Sequence, residues 1–126
     1  MKRGEIYRLD FGIPQGSVQG GVRPSLVVQG DAVILQNDVG NYTSPTTMVA
    51  AITRKRKKNY PFHVEISARE SGLPKDSTIL LEQIQTVPQS RLIKKLGELD
   101  KPKMEEVSKA LMCSLGILLS LSLIHI

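Results

Sequence analysis

The stretch LVVQGDAVILQNDVGN, residues 26–41, states one phrase twice. LVVQGDA (26–32) is followed at once by VILQNDV (33–39), and the two match position by position: apolar, apolar, apolar, Gln, Gly or Asn, Asp, apolar. Three apolar residues with β-branched content, ahead of turn-forming residues, read as a short buried strand. Two copies therefore compete for one strand. Their offset is seven residues, an odd number. Trading one copy for the other in a fixed register would exchange the two faces of the strand. The first copy follows Arg23-Pro24-Ser25 directly, which tethers it to the glycine-rich loop before it. The expectation is that residues 26–29 form the core strand and residues 36–41 the loop beyond it. Residues 30–35 then become an extension, turning at Gly30-Asp31.

Working outward, residues 5–11 (EIYRLDF) alternate, with Tyr7, Leu9 and Phe11 on one face and Ile6, Arg8 and Asp10 on the other. That is a half-buried strand. GIPQGSVQGGVRP (12–24) holds four glycines and two prolines, and is a loop whose Gly20-Gly21 pair permits close backbone approach. Residues 40–45 read as a turn. TTMVAAIT (46–53), FHVEI (62–66), STILLEQIQTV (77–87) and RLIKKL (91–96) read as further strands, with a turn at 71–76. The end of the chain differs in kind. Asp100 is a candidate N-cap with Pro102 in the first turn, and Met104, Val107, Leu111, Leu115 and Leu118 follow at helical spacing. Short strands closed by one amphipathic helix predict an α+β domain: a small antiparallel β-barrel or sheet packed by a C-terminal helix.

One domain is expected from 126 residues with 40% apolar content. A single cysteine, Cys113, and no apolar segment behind the charged N-terminus point to the cytoplasm. The apolar run CSLGILLSLSLIHI (113–126) is too short to span a bilayer. Its last six residues, LSLIHI (121–126), read as the in-frame translation of a common sequencing adapter, so the natural chain is expected to end near residues 118–120. A net charge of +5 favours an anionic partner, nucleic acid first. One run, Arg54-Lys55-Arg56-Lys57-Lys58, carries five positive charges, as many as the whole excess, and alone would read as a solvated loop. No zinc pattern, P-loop or GxGxxG is present.

The segments KRGEIY, QGGVRP, QNDVGN, SPTTMVAAIT, HVEI and ILLEQIQT occur in this order. Together they resemble the MazF/PemK family of toxin endoribonucleases, in particular its Gram-positive branch. The resemblance runs from Lys2 to about Gly116. It implies an SH3-like β-barrel of the CcdB/PemK kind. It also implies a homodimer that cuts single-stranded RNA without metal or cofactor and is neutralised by a cognate MazE-like antitoxin, with no membrane involved. Residue by residue, the family's active-site arginine falls on Arg23 and its threonine on Thr53. Ser17, Gln19, Gly20 and Gly21 of the preceding loop, together with Gln83, fall on RNA-binding positions. Val18 stands where an acidic residue is common, and Gln85 where the family has arginine. The family runs straight from the strand after Arg-Pro into Gln-Asn-Asp, so the seven extra residues mark a tandem duplication.

These residue types suit RNA cleavage. RNA carries its own nucleophile, the 2′-OH, and the expected products are a 2′,3′-cyclic phosphate and a 5′-OH. The planar fork of Arg23 can hold two phosphate oxygens and keeps its charge at any relevant pH. Thr53 can donate one more hydrogen bond. The general base is not identified by the sequence. His63, in an alternating strand, reads as structural; Glu82 reads equally as an RNA contact or a bridge between strands; Cys113 reads as packing. Two alternatives stand beside the toxin ribonuclease. One is a catalytically weakened member that still binds RNA or antitoxin, suggested by Val18 and the duplication. The other is a CcdB-like gyrase inhibitor on the same fold.

Overall fold

In the computed structural model, which describes residues 1–12, 28–54 and 60–117, the doubled phrase resolves in favour of its second half. Strand β2 spans Val28–Ile34, across the junction of the two copies. Its buried residues are Ala32, Val33 and Ile34, with Leu35 just beyond. Val28 and Gln29, in the middle of the first copy, are exposed, and Leu26 and Val27 lie outside the described residues. The expected assignment is thus reversed. Residues 30–35 are not an extension, and no turn forms at Gly30-Asp31. Gly30 and Asp31 pair instead with Leu9 and Arg8 of β1 (Glu5–Gly12). Asp31 also pairs with Ile52 of β3 (Thr46–Arg54).

The loop after β2 decides this. Gln36 Nε2 donates to Asn41 Oδ1 at 3.1 Å and to the Thr46 carbonyl at 3.0 Å. Asn41 Nδ2 returns a bond to the Gln36 carbonyl at 2.9 Å, and the Thr47 hydroxyl donates to Asn41 Oδ1 at 2.7 Å. Arg3 Nε donates to the Leu35 carbonyl at 2.9 Å, and Asn37 caps helix α1 (Asp38–Thr43) by accepting from the Gly40 amide. Five residues after Gln36 stands Asn41; five after Gln29 stands Ile34, which cannot take part in such a network. Face parity does not choose between the copies, because both faces of residues 32–35 are covered. Val33 and Leu35 join a core cluster with Ile6, Ala50, Ile79 and Leu81. Ala32 and Ile34 join another with Leu9, Val49 and Val87.

Four further elements complete the sheet and its cover: β4 (His63–Ile66), helix α2 (Ala68–Ser71), β5 (Ser77–Pro88) and β6 (Leu92–Glu98). The six strands are antiparallel in the order β4-β5-β3-β2-β1-β6. Among the described residues the sheet is open, with β4 and β6 at its edges, the second of the two forms, barrel or sheet, that the sequence allowed. The α+β class stands. Helix α3 (Lys101–Leu115) begins at the expected cap, where the Asp100 carboxylate accepts from the Lys103 amide at 3.0 Å. Met104, Val107 and Ala110 of α3 are buried in the first core cluster, and Leu111 packs against it. The stripe fades after that. Leu115 is 59% exposed, and Cys113, expected to pack, is exposed as well. Apolar spacing continues through the last turn, but no core cluster reaches it. Leu118 lies outside the described residues.

Two short helices stand at expected turns: α1 overlaps the one at 40–45, and α2 ends where the one at 71–76 begins. The second carries a legible signal: Ser67 and Glu70 form a capping box around the first turn of α2. Its end presses on β6. A Cβ on Gly97 would overlap the Ser71 carbonyl, and Gly72, at φ +80°, would bring one to 2.5 Å from the Leu96 carbonyl oxygen.

Candidate functional site

The chemistry expected of the chain gathers around the C-terminal end of β3. Thr53 pairs with Thr78 of β5 and stands next to Ile52, the partner of Asp31. It lines an open pocket of about 370 Å³, shared with Arg8, Gly30, Asp31, Arg54 and Lys75. Three cations from three segments thus surround one threonine. Arg8 comes from β1, Arg54 from the last position of β3, and Lys75 from the segment before β5. Arg8 is engaged: its Nη1 lies 3.3 Å from Asp31 Oδ1, with the two side chains 45% and 24% exposed.

A second cleft, of about 530 Å³, lies between Phe11, Val28, Ala51, Gln83, Ile84 and Gln85. A bulge in β5 builds it. Ala50 of β3 pairs with Ile84, but the next residue, Ala51, pairs with Leu80, so residues 81–83 are skipped by the ladder. The Leu81 amide turns to the Phe62 carbonyl at 3.0 Å, and Glu82 and Gln83 become exposed. Glu82 uses its exposure as a bridge to β4: both carboxylate oxygens lie within 3.2 Å of His63 Nε2. The His63 side chain is 3% exposed, and its ring stands edge-on to Tyr60 and Phe62. His63 is therefore a structural residue, as expected, and Glu82 holds it. Gln83 and Gln85 put two amides, each both donor and acceptor, on the rim of an otherwise apolar cleft. Unstacked bases are read by such edges.

Of the site residues expected from sequence, the structure places Thr53 and Gln83 in these two neighbouring depressions, joined by β3. Ser17, Gln19, Gly20, Gly21 and Arg23 lie outside the described residues. Sequence reasoning missed Arg8, Asp31 and Lys75. Arg8 had only its place in an alternating strand, Lys75 sat in an assigned turn, and Asp31 was assigned to an extension. Arg54 was legible as the first residue of the basic run.

The repeat also has a local consequence. Counting back seven residues, Gly30-Asp31 precede the buried copy as Arg23-Pro24 precede the first. Gly30 thus holds the strand position that the arginine would take in the unrepeated phrase. A Cβ there would come within 3.1 Å of Phe11 Cε2, so the ring of Phe11 already stands over that spot.

Comparison with known proteins agrees with this fold. Residues 2–115 match a family described as PemK-like, MazF-like toxin of type II toxin-antitoxin system. An Endoribonuclease MazF of Staphylococcus saprophyticus is 50% identical over 118 residues, 93% of this chain and 92% of that protein. A mycobacterial endoribonuclease solved in complex with its cognate antitoxin superposes with a TM-score of 0.75 at 21% identity, over 95% of this chain and 99% of that one. A MazE–MazF structure from Deinococcus radiodurans gives 0.70 at 23% identity, over 94% and 98%. At these identities the structural likeness speaks for the fold.

Proposed function

We infer the activity from membership: the chain belongs to the PemK-like, MazF-like toxin family of type II toxin-antitoxin systems. It acts as the toxin, an endoribonuclease that cuts single-stranded RNA at preferred sequences. The observation that carries this reading is the convergence of Arg8, Arg54 and Lys75 on the pocket lined by Thr53, in a chain half identical to a named endoribonuclease. A phosphodiester is the ligand such a pocket suits.

The 2′-OH attacks the adjacent phosphorus, the 5′ oxygen leaves, and a 2′,3′-cyclic phosphate remains. No metal is required, because the nucleophile belongs to the substrate. Arg23 stabilises the phosphorane charge and Thr53 donates to the same phosphate. Fixed donors of this kind contribute on the order of 3 kcal/mol each. Ser17, Gln19, Gly20 and Gly21 hold the strand near the scissile bond, and Gln83 reads a base beside it. The partners are a second copy of the chain and a MazE-like antitoxin, small and acidic, whose disordered tail covers the basic groove. No helix among the described residues is long and apolar enough to cross a membrane. The finer reading is a cytoplasmic protein.

Mapping the 5′ ends of fragments from an unstructured RNA tests this. Purified chain should give 5′-OH ends at a recurring sequence, and Arg23→Ala and Thr53→Val should abolish them. Undiminished cutting by Arg23→Ala would overturn the mechanism.

A second reading, a weakened ribonuclease, is favoured by one observation: the buried copy brings Gly30 and Asp31, in place of Arg23 and Pro24, next to Ala32 in β2. The gyrase-inhibitor alternative has no observation in its favour.

A further inference from the structure

We infer that Asp31 is an internal competitor of RNA. Its carboxylate occupies Arg8 in the pocket that Thr53, Arg54 and Lys75 line, and an entering backbone phosphate must displace it. The inference rests on the ribonuclease reading above and concerns the regulation of the same pocket.

Three observations support it. Asp31 lies within the doubled phrase, which repeats at an offset of seven residues. Its backbone is fixed by two strands at once, paired to Arg8 on β1 and to Ile52 on β3, which holds the residue beside the pocket. Finally, the contact is one a phosphate could replace. Arg8 Nη1 meets Asp31 Oδ1 at 3.3 Å, a single contact between side chains that both reach solvent. Such a pair is weak, so the carboxylate tunes binding without abolishing it. It acts twice, by engaging one cation and by repelling a like charge nearby.

The occupant is the phosphodiester backbone of single-stranded RNA. The remaining cations, Arg54 and Lys75, keep the pocket attractive to it. With Asp31 neutralised, Arg8 becomes one more phosphate contact and releases one more counterion.

The test measures binding of a short unstructured oligonucleotide with 2′-O-methyl sugars, which lacks the nucleophile and cannot be cut. Titrations over a range of salt compare the full chain with Asp31→Asn, Arg8→Gln and the double variant. Asp31→Glu serves as a charge-preserving control, and thermal melting checks that each is folded. Asp31→Asn should bind about three- to tenfold tighter. Its plot of log K against log salt should steepen by about 0.7, the value for one added phosphate contact on a single strand. In the Arg8→Gln background the gain from Asp31→Asn should fall below about twofold, and Asp31→Glu should bind as the parent does. Unchanged affinity and salt slope in Asp31→Asn would overturn the inference. So would an equal gain with and without Arg8. Cleavage of ordinary RNA, assayed in parallel, separates the two readings. Tighter binding by Asp31→Asn with no cutting by any variant, including one lacking residues 30–36, would remove the ribonuclease and leave the competitor standing.

Discussion

At its C-terminal end β2 is buried on both faces and tied down by the Gln36–Asn41 network; at its N-terminal end the same strand exposes Val28 and Gln29 and carries the Asp31–Arg8 pair. The two ends derive from copies of one phrase, so composition does not explain the contrast. The residues after each copy explain it. The second copy runs into side chains that can satisfy the buried backbone of the loop, and the first runs into the second. A buried carbonyl or amide left without a partner costs about 1–3 kcal/mol, and this loop would leave several, whereas exchanging Leu-Val-Val for Val-Ile-Leu swaps one apolar side chain for another. Polar closure therefore sets the register, and the apolar run is placed by it.

The sharpest way to break the comparison is to remove the excess. Deleting residues 30–36 joins Gln29 to Asn37, so that Leu26, Val27 and Val28 stand in for Val33, Ile34 and Leu35, and Gln29 for Gln36. The protein should fold with a melting temperature near that of the parent. It should also bind and cleave RNA better, by about the three- to tenfold expected from losing the Asp31 carboxylate. A deletion variant that fails to fold would show that the copies are not interchangeable. One that folds and cuts no faster would show that the repeat leaves catalysis alone.

Next is the contrast within the strand. Ile34→Ala removes a fully buried side chain and should destabilise by about 3 kcal/mol. Val28→Ala, at a 40% exposed position, should change stability by less than about 0.5 kcal/mol. Denaturant titration of both gives the difference directly. Near-equal losses would mean that the first copy is packed as tightly as the second.

The loop network should yield a smaller but telling loss. Asn41 is 7% exposed and bonds to Gln36 and Thr47, while Gln89 Nε2 donates to the Asn41, Ser44 and Thr46 carbonyls. Asn41→Ala should cost about 1–3 kcal/mol. If polar closure sets the register, the same substitution in the deletion variant should cost a similar amount, measured by the same titration. A negligible effect in both would move the choice of register back to the apolar residues.

These cases also show what was legible. Five of the six strands and helix α3 could be placed from alternation, turn residues and the Asp100 cap, because each signal is local. Residues 26–35 could not be assigned from periodicity, since both copies satisfy it and the strand is buried on two faces. Asn41 is local, but two of the deciding partners, Arg3 and Gln89, come from distant parts of the chain. The same holds for the site. Thr53 could be named from the motif it ends. Arg54 was visible as the start of the basic run, but Arg8 and Lys75 could not be placed beside it, because only the pairing of the sheet brings their segments together. The choice between barrel and open sheet was left undecided for a related reason, since edge pairing depends on where distant strands stop.

The smallest expected effect lies at the edge β1–β6, where charge takes the place that packing has in β2. Lys95 Nζ sits 2.9 Å from Glu5 Oε2 and 3.1 Å from Glu98 Oε1. Burial pushes the Glu5 carboxyl up, but the bond and charge of Lys95, the Lys2 amide and the Tyr7 hydroxyl together hold it below its ordinary value near 4.5. A carboxyl depressed in the folded state adds stability above its unfolded value and loses it as pH falls through the folded one. Glu5→Gln should therefore cost less than about 1 kcal/mol at neutral pH, and the gap to the parent should close as pH drops below the ordinary carboxylate range. Raising salt at neutral pH should narrow the same gap, because the Lys95 partner is exposed. The β2 variants, which act through buried contacts, should show neither dependence. A Glu5→Gln loss that persists unchanged at low pH would mean that the side chain acts by its shape, and that both strands flanking β2's neighbour β1 are held by packing alone.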